Sequence, residues 1–254
     1  MRRMLTVYGC AAYLFLHLPL LILAIFSVNQ GRFTVWEGFS LRWYGLALRD
    51  GSLIESTINS LLIAAAATLG STVIGTMCAY GLWKRSSRWL SMSLYASLVT
   101  PEIVMGIALL VFYQALFRLL HLQLGMHTVM LAHISFCLSF VVIVVAARLR
   151  TLDPALEEAA LDLGATPWEA FRDVTLPFLL PGIAAAALLA FTTSFDDYVI
   201  TSMVAGVDSE TLPMVLYAMA RRGANPVINA VSTLIVVGLG SMILLSERLR
   251  TTSS

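Results

Sequence analysis

Charge is what this sequence has least of. Asp, Glu, Lys and Arg make up 12% of its 254 residues, against about 25% in an ordinary soluble domain. Apolar residues make up 59%, and mean hydropathy is +0.84. A water-soluble fold of this length could not hide so much apolar surface. The formal net charge is only +1, which leaves no electrostatic footprint for a nucleic-acid partner. Lysine is nearly absent: Lys84 is the only one. It follows Trp83 and precedes Arg85, so the Gly-Lys-Ser/Thr core of a phosphate-binding loop cannot be built, and the chain has no ATP site of that kind. Cys10, Cys78 and Cys137 lie far apart in apolar stretches. They have no metal or redox spacing and read as small helix-packing residues. His17, His121, His127 and His133 show no metal spacing either, and His133 reads as a packed or hydrogen-bonded histidine. One alternative, an intramembrane enzyme, is supported by no HExxH, no nucleophile elbow and no compelling Ser-His-Asp grouping. No enzyme, no catalytic residue, no cofactor and no metal are expected in this chain.

What is present is a series of long apolar runs separated by clustered charge. A helix needs roughly 20 apolar residues to cross a bilayer core, and the length accommodates about six. The runs are Leu5 to Val28, Ser56 to Leu82, Met92 to Phe117 (interrupted by Pro101-Glu102), Thr128 to Ala147, Pro181 to Met203 and Val227 to Ser246. The expected fold class is therefore an all-α integral membrane protein, with residues 1–254 forming one transmembrane domain. The first run follows Met1-Arg2-Arg3 like a signal peptide. It is long for such a segment, however, and lacks a clear small-x-small cleavage site, so it is read as a retained span. Between the first two runs, Trp36, Trp43 and Tyr44 read as an interfacial aromatic belt.

Basic residues in the connections set the orientation. With the N-terminus inside, the inner segments hold Arg2, Arg3, Lys84, Arg85, Arg88, Arg148, Arg150, Arg172, Arg248 and Arg250. The outer ones hold Arg32, Arg42, Arg49, Arg118, Arg221 and Arg222. Ten against six favours both termini in the cytoplasm.

The longest charged stretch, about 148–180, lies between the fourth and fifth runs. It reads as two short helices. Asp153 is a suitable N-cap, with Pro154 at the first helical position. Gly164 can end the helix in a left-handed conformation. Thr166 can cap the second helix, with Pro167 next to it and Glu169 where a capping box places its acid. Pro177 and Pro181 stop that helix before the fifth run. Leu156, Ala159, Ala160 and Leu163 share one face of the first helix, and that face needs a partner: its own bundle, the membrane interface, or another protein.

The order Glu158-Ala159-Ala160, three residues, Gly164, nine residues, Val174, one residue, Leu176-Pro177 resembles the EAA loop of the permease subunits of binding-protein-dependent ABC importers. The family pattern has isoleucine where Val174 stands. The resemblance extends to six spans with this loop inside, a MetI-like, type I permease architecture. It implies that Glu158, Ala159, Ala160, Gly164, Leu176 and Pro177 belong to a coupling loop. It also implies the partners: a cytoplasmic ATPase dimer that binds ATP and Mg, a second permease subunit, read as a different chain, an extracytoplasmic solute-binding protein, and the lipid of a bacterial inner membrane.

Three acids fall within the apolar runs: Glu102, beside Pro101, and the pair Asp196 and Asp197. A carboxylate at bilayer depth costs about 2.5–3.5 kcal/mol on insertion scales and is retained where it meets water, a partner charge or a ligand. Adjacent helical residues point about 100° apart, so both aspartates cannot face one path squarely. The segments Thr100-Pro101-Glu102-Ile103-Val104-Met105-Gly106 and Ser194-Phe195-Asp196-Asp197-Tyr198 look like those of spermidine/putrescine permeases, which makes the three acids candidates for a polyamine path. Two alternatives use the same residues: a permease for another cationic or small organic solute, and a secondary transporter coupling to protons through the acids. The second would call for paired broken helices in related halves, which the sequence does not display.

Overall fold

The computed structural model describes residues 2–32, 35–120, 122–223 and 225–251; His121 lies outside them, as do the side chains of Arg2, Arg3, Leu120 and residues 242–251, which include Glu247, Arg248 and Arg250. From the N-terminus the helices are α1 (Arg2–Ser27), α2 (Arg42–Ala47), α3 (Gly51–Lys84), α4 (Arg88–Val99) and α5 (Glu102–Leu120). Then come α6 (Met126–Leu149), α7 (Pro154–Asp162) and α8 (Pro167–Ala170), and a π-helical turn (Phe171–Thr175) that leads into α9 (Leu176–Asp196). The last are α10 (Val199–Val204), α11 (Leu212–Arg221) and α12 (Pro226–Thr251). The described residues form no β-strand, only an isolated bridge between Asn29 and Phe39. Five stretches are long and apolar enough to cross a bilayer: 4–27, 51–84, 102–119, 126–149 and 167–196. α12 adds a shorter apolar stretch, Pro226–Ser241.

Two of the expected spans end differently from the sequence reading. The third does not begin at Met92. Thr100, the residue before a proline, is extended at φ −67°, ψ 127°, as the proline ring's clash with a helical neighbour requires. α4 is thus a separate helix of 12 residues, and α5 alone is long enough to span. The fifth run also divides. α9 ends at Asp196, Asp197 is extended, and α10 is a separate short helix. The three acids therefore sit at helix ends and not in mid-helix.

The chain forms two compact units, residues 1–56 with 214–254 and residues 57–213. In the first, α1 and α2 both pack on α12. Its polar connection is held by Asn29, whose Nδ2 donates to the Val35 carbonyl (2.7 Å) and whose Oδ1 accepts from the Glu37 N–H (2.9 Å). Trp43 is buried, and its indole N–H donates to the Asn29 carbonyl at 2.7 Å. This corrects the belt reading: Trp43 is a core residue, because its one polar atom finds a backbone partner. Trp36 is exposed, as a belt residue would be.

In the second unit α6 is central, packing on α9, α10 and α4. Val129, Ala132, Val141, Val145 and Leu149 are fully buried along it, against Leu179, Ala186 and Ala190 of α9. Lipid tails are as apolar as these side chains, so close van der Waals contact rather than escape from water holds such helices together. Small residues permit that contact. A methyl group on Gly75 of α3 would lie 2.7 Å from Val141 Cγ1, and one on Gly182 of α9 would lie 3.1 Å from the Arg148 side chain.

Candidate functional site

The 148–180 loop caps its helices as its residue types dictate, but Pro177 and Pro181 do not stop the second helix as expected. α8 runs through the π-helical turn into α9, with Pro177 in the first turn of α9, where a proline is tolerated, and Pro181 inside it. The Asp153 carboxylate accepts from the Ala155 N–H at 3.0 Å, and Pro154 opens α7. The helix closes in a Schellman arrangement: the Ala165 N–H donates to the Ala160 carbonyl and the Gly164 N–H to the Leu161 carbonyl, with Gly164 at φ +93°. That conformation suits glycine because a β-carbon would crowd the backbone. Thr166 and Glu169 form a reciprocal capping box at the start of α8. The Thr166 backbone N–H and hydroxyl both donate to the Glu169 carboxylate, each at 2.8 Å.

The polarity of α7 is the opposite of what its leucines suggest. Leu156, Ala159 and Leu163 are exposed, Leu163 to 90%, and Ala160 is half-buried. The side chain that turns inward is Glu157, only 2% exposed. Its Oε1 accepts from the Tyr80 hydroxyl (2.7 Å) and pairs with Lys84 Nζ (2.7 Å), while Oε2 accepts from the Thr175 hydroxyl (2.9 Å). Burial opposes the charged form, yet the bonds from Lys84, Tyr80 and Thr175 together outweigh it and hold the carboxyl below 4.5. Lys84 Nζ also lies 4.8 Å from the centre of the Trp83 ring. Little in the sequence marks Glu157, since one acid in a solvated-looking pair has no distinguishing feature. The only available signal is the period: Glu157 points about 100° away from Leu156 and about 160° away from Ala159.

Of the expected coupling residues, Glu158, Ala159, Gly164 and Pro177 are exposed, while Ala160 and Leu176 are half-buried. Glu158 and Ala159 thus present a free surface, together with the exposed Leu156, Leu163 and Trp168.

The acids form a second locus. Glu102 lies in the first turn of α5 and is exposed; Asp196 ends α9 and is also exposed. α10 packs on α5, and a methyl group on Gly106 would lie 3.1 Å from Met203. This close approach joins α5, which begins at Glu102, to α10, which begins three residues after Asp196. Among the described residues neither forms an ion pair. Asp197 is set differently. It is buried, and its Oδ2 accepts from both the N–H and the hydroxyl of Thr201 at 2.8 Å. His133 Nε2 is 3.4 Å from the same oxygen and 3.0 Å from the Thr201 hydroxyl, and His133 Nδ1 meets Ser194 Oγ at 2.7 Å. The hydrogen-bonded histidine expected at 133 is therefore present, and Asp197 caps α10 as its partner. No group of three potential metal ligands occurs among the described residues.

This architecture has clear relatives. Residues 71–250 match the family described as binding-protein-dependent transport system inner membrane component. The chain belongs to that family, the permease subunits of ABC importers. It is a multi-pass inner-membrane transport subunit and not an enzyme. It is 43% identical over 235 residues to the putrescine transport system permease protein PotI of Escherichia coli K12, covering 90% of this chain and 84% of that one. It is 38% identical over 241 residues to the spermidine/putrescine permease PotC of the same organism, covering 93% and 90%. Among solved structures, a bacterial alginate ABC transporter in complex with its alginate pentasaccharide-bound periplasmic protein superposes with a TM-score of 0.75, covering 98% of this chain and 92% of that chain at 16% identity. The MetNI methionine transporter in inward-facing form gives 0.68, covering 80% and 96% at 20% identity. At those identities the likeness is one of fold.

Proposed function

We propose that this permease carries linear polyamines, putrescine or spermidine, inward across the membrane. The observation that carries the reading is the extent of likeness to PotI, 43% identity over 90% of the chain. The exposed acids Glu102 and Asp196 support it. Each ammonium group of a polyamine is strongly hydrated, and carboxylates are the acceptors that best replace that water. A few spaced acids bind weakly enough to release the cargo. Asp197, occupied by Thr201 and His133, acts on the path only by holding α10.

The two units act as one permease domain, paired with a second, different permease chain and served by an extracytoplasmic solute-binding protein. Both termini and the 148–180 loop face the cytoplasm. There the exposed surface around Glu158, Ala159 and Gly164, with Leu176 and Pro177 at its end, couples to a separate ATPase dimer that binds ATP and Mg. A cysteine at Glu169, in a background without the native cysteines, resists an impermeant thiol reagent in intact cells; labelling from outside would overturn the orientation. Uptake of putrescine, spermidine and a panel of cationic and neutral solutes, in cells with and without this chain, tests the cargo. Loss of uptake confined to solutes without two or more ammonium groups would refute it.

A further inference from the structure

We propose that Glu157 is a positioning residue that clamps the coupling loop to α3 and to the start of α9, so that force applied at the loop reaches the membrane helices. The proposal rests on the coupling function proposed for the loop and adds the part that transmits.

Three observations carry it. First, the helix whose exposed surface would receive a partner, α7, makes a charged anchor on its opposite side. Glu157 is 2% exposed, and both of its oxygens are occupied. Second, its partners come from two different membrane helices. Tyr80 and Lys84 lie in the last two turns of α3, whereas Thr175 ends the π-helical turn immediately before α9. One carboxylate thus ties α7 to the end of α3, 77 positions away, and to the turn before α9, 18 positions away. Third, the tie is reinforced by packed rings. Tyr80 sits 4.7 Å from Phe171 and 5.9 Å from Trp83, and Trp168 sits 5.6 Å from Phe171 (ring centres). π-helical turns recur at functional sites. Here such a turn is braced from outside by the buried acid and the buried Thr175.

The chemistry explains why an acid is used where an apolar side chain would pack at lower cost. A buried carboxylate that pairs with a half-exposed lysine and accepts further hydrogen bonds is held in one geometry, and removing a partner leaves its buried charge less compensated. Packed leucines would tolerate sliding; a carboxylate bonded by three donors does not. Glu158, the next residue, is exposed, so the two adjacent acids divide the work between anchoring inward and contact outward.

The test uses the whole transporter, purified with its ATPase and second permease. Lys84→Met removes the charge from the half-exposed side of the pair, and Tyr80→Phe removes only one hydroxyl, so neither demands that a buried acid be deleted. The readout is the ratio of ATPase activity with solute-loaded binding protein to activity without it. Each variant should lower this ratio about threefold or more while the complex still assembles. Glu157→Gln should lower it further, and Glu157→Gln combined with Lys84→Met should be no worse than Glu157→Gln alone, because both break one clamp. If Gly164→Val uncouples but Lys84→Met and Tyr80→Phe do not, the coupling loop stands and the clamp is refuted. If none of them uncouples, the coupling reading itself falls. If Lys84→Met and Tyr80→Phe instead abolish assembly, Glu157 maintains the fold and transmits nothing.

Discussion

Asp196 and Asp197 are neighbours in sequence, and replacing them should have opposite consequences. Asp197→Ala removes the acceptor for the Thr201 N–H at 2.8 Å and for the Ile200 N–H at 3.4 Å. Thr201 is fully buried, so its N–H finds no water to replace the lost carboxylate. A lost cap costs about 0.5–2 kcal/mol, and an unsatisfied buried donor about 1–3 kcal/mol. The two count much of the same loss, which makes about 1–3 kcal/mol a fair total. The Thr201 hydroxyl keeps His133 Nε2 at 3.0 Å and softens the loss. At roughly 2–4 °C per kcal/mol for a chain of this size, the unfolding midpoint of the detergent-purified complex should fall by roughly 2–12 °C. Asp197→Asn retains one carbonyl oxygen and should cost about half as much. Asp196 is exposed, and a surface substitution changes stability by about 0.5 kcal/mol or less, so Asp196→Asn should leave the midpoint within about 2 °C. If Asp196 meets the cargo, polyamine uptake should nonetheless fall about tenfold, equivalent to about 1.4 kcal/mol at the transport barrier. Both quantities are measured on the same preparations, with uptake normalised to assembled complex. An unchanged midpoint in Asp197→Ala together with lost uptake, or an unfolding shift in Asp196→Asn, would show that the inward and outward assignments are reversed.

Glu102→Gln, at the same locus as Asp196, should reduce polyamine uptake to a similar degree without loss of assembly; unimpaired uptake would place Glu102 outside the path. Gly164→Val should leave membrane insertion intact but uncouple solute-stimulated ATPase activity, because a methyl group there meets open space and the strain lies wholly in φ +93°; Gly164→Asn, which tolerates that backbone better, should be milder. Gly206→Ala should destabilise the chain by about 1–3 kcal/mol, since the added methyl would collide with the Leu124 carbonyl; a wild-type unfolding midpoint would contradict the close approach of those two turns. The Glu157 carboxyl is held below its ordinary 4.5. The stabilisation it contributes is therefore fully present above about pH 4.5 and is lost only as pH falls through the lower folded value. Complex stability that changed between about pH 6 and 8 through this group, read as a difference between wild type and Glu157→Gln, would refute that.

The fold was largely legible because bilayer crossing leaves few solutions: long apolar helices must satisfy their own backbone groups. The caps were legible too, since Asp153, Gly164, Thr166 and Glu169 act on atoms a few residues away. The breaks before Pro101 and after Asp196 were harder. Each lies inside one unbroken apolar run, and hydropathy sums over a window without registering where the helix stops. Pro101 was a visible signal for the first. Asp197 was a cap in plain sight for the second, but in an apolar context it reads as an intramembrane acid. Glu157 was hidden for a different reason. Thr175 is 18 positions away from it along the chain and Tyr80 is 77, and only the fold brings Tyr80, Lys84 and Thr175 to one carboxylate.

The Glu157 cluster and the acid pair lie near opposite ends of one helix. Thr175 immediately precedes α9 and Asp196 ends it. α9 is 21 residues long, about 31 Å at 1.5 Å per residue, which is about the thickness of a bilayer core. α9 is seated on α6 through Ala186, Ala190 and Gly182, contacts too close to allow a change of tilt without separation. Cys137 of α6 even reaches the Ala190 carbonyl, at 3.6 Å. At its far end the pair is joined again, by His133 of α6 bonding Ser194 of α9 and Thr201 of α10. The α6–α9 pair is thus fastened along its length and at its distal end, while the Glu157 clamp fastens its proximal end to the loop. Helices held this way move together or not at all, because a packed interface yields by jumping between arrangements and not by bending gradually. On the proposed coupling function, this continuous fastening is the route by which a displacement of the loop is expected to reach Asp196, and loss of the clamp is expected to weaken it.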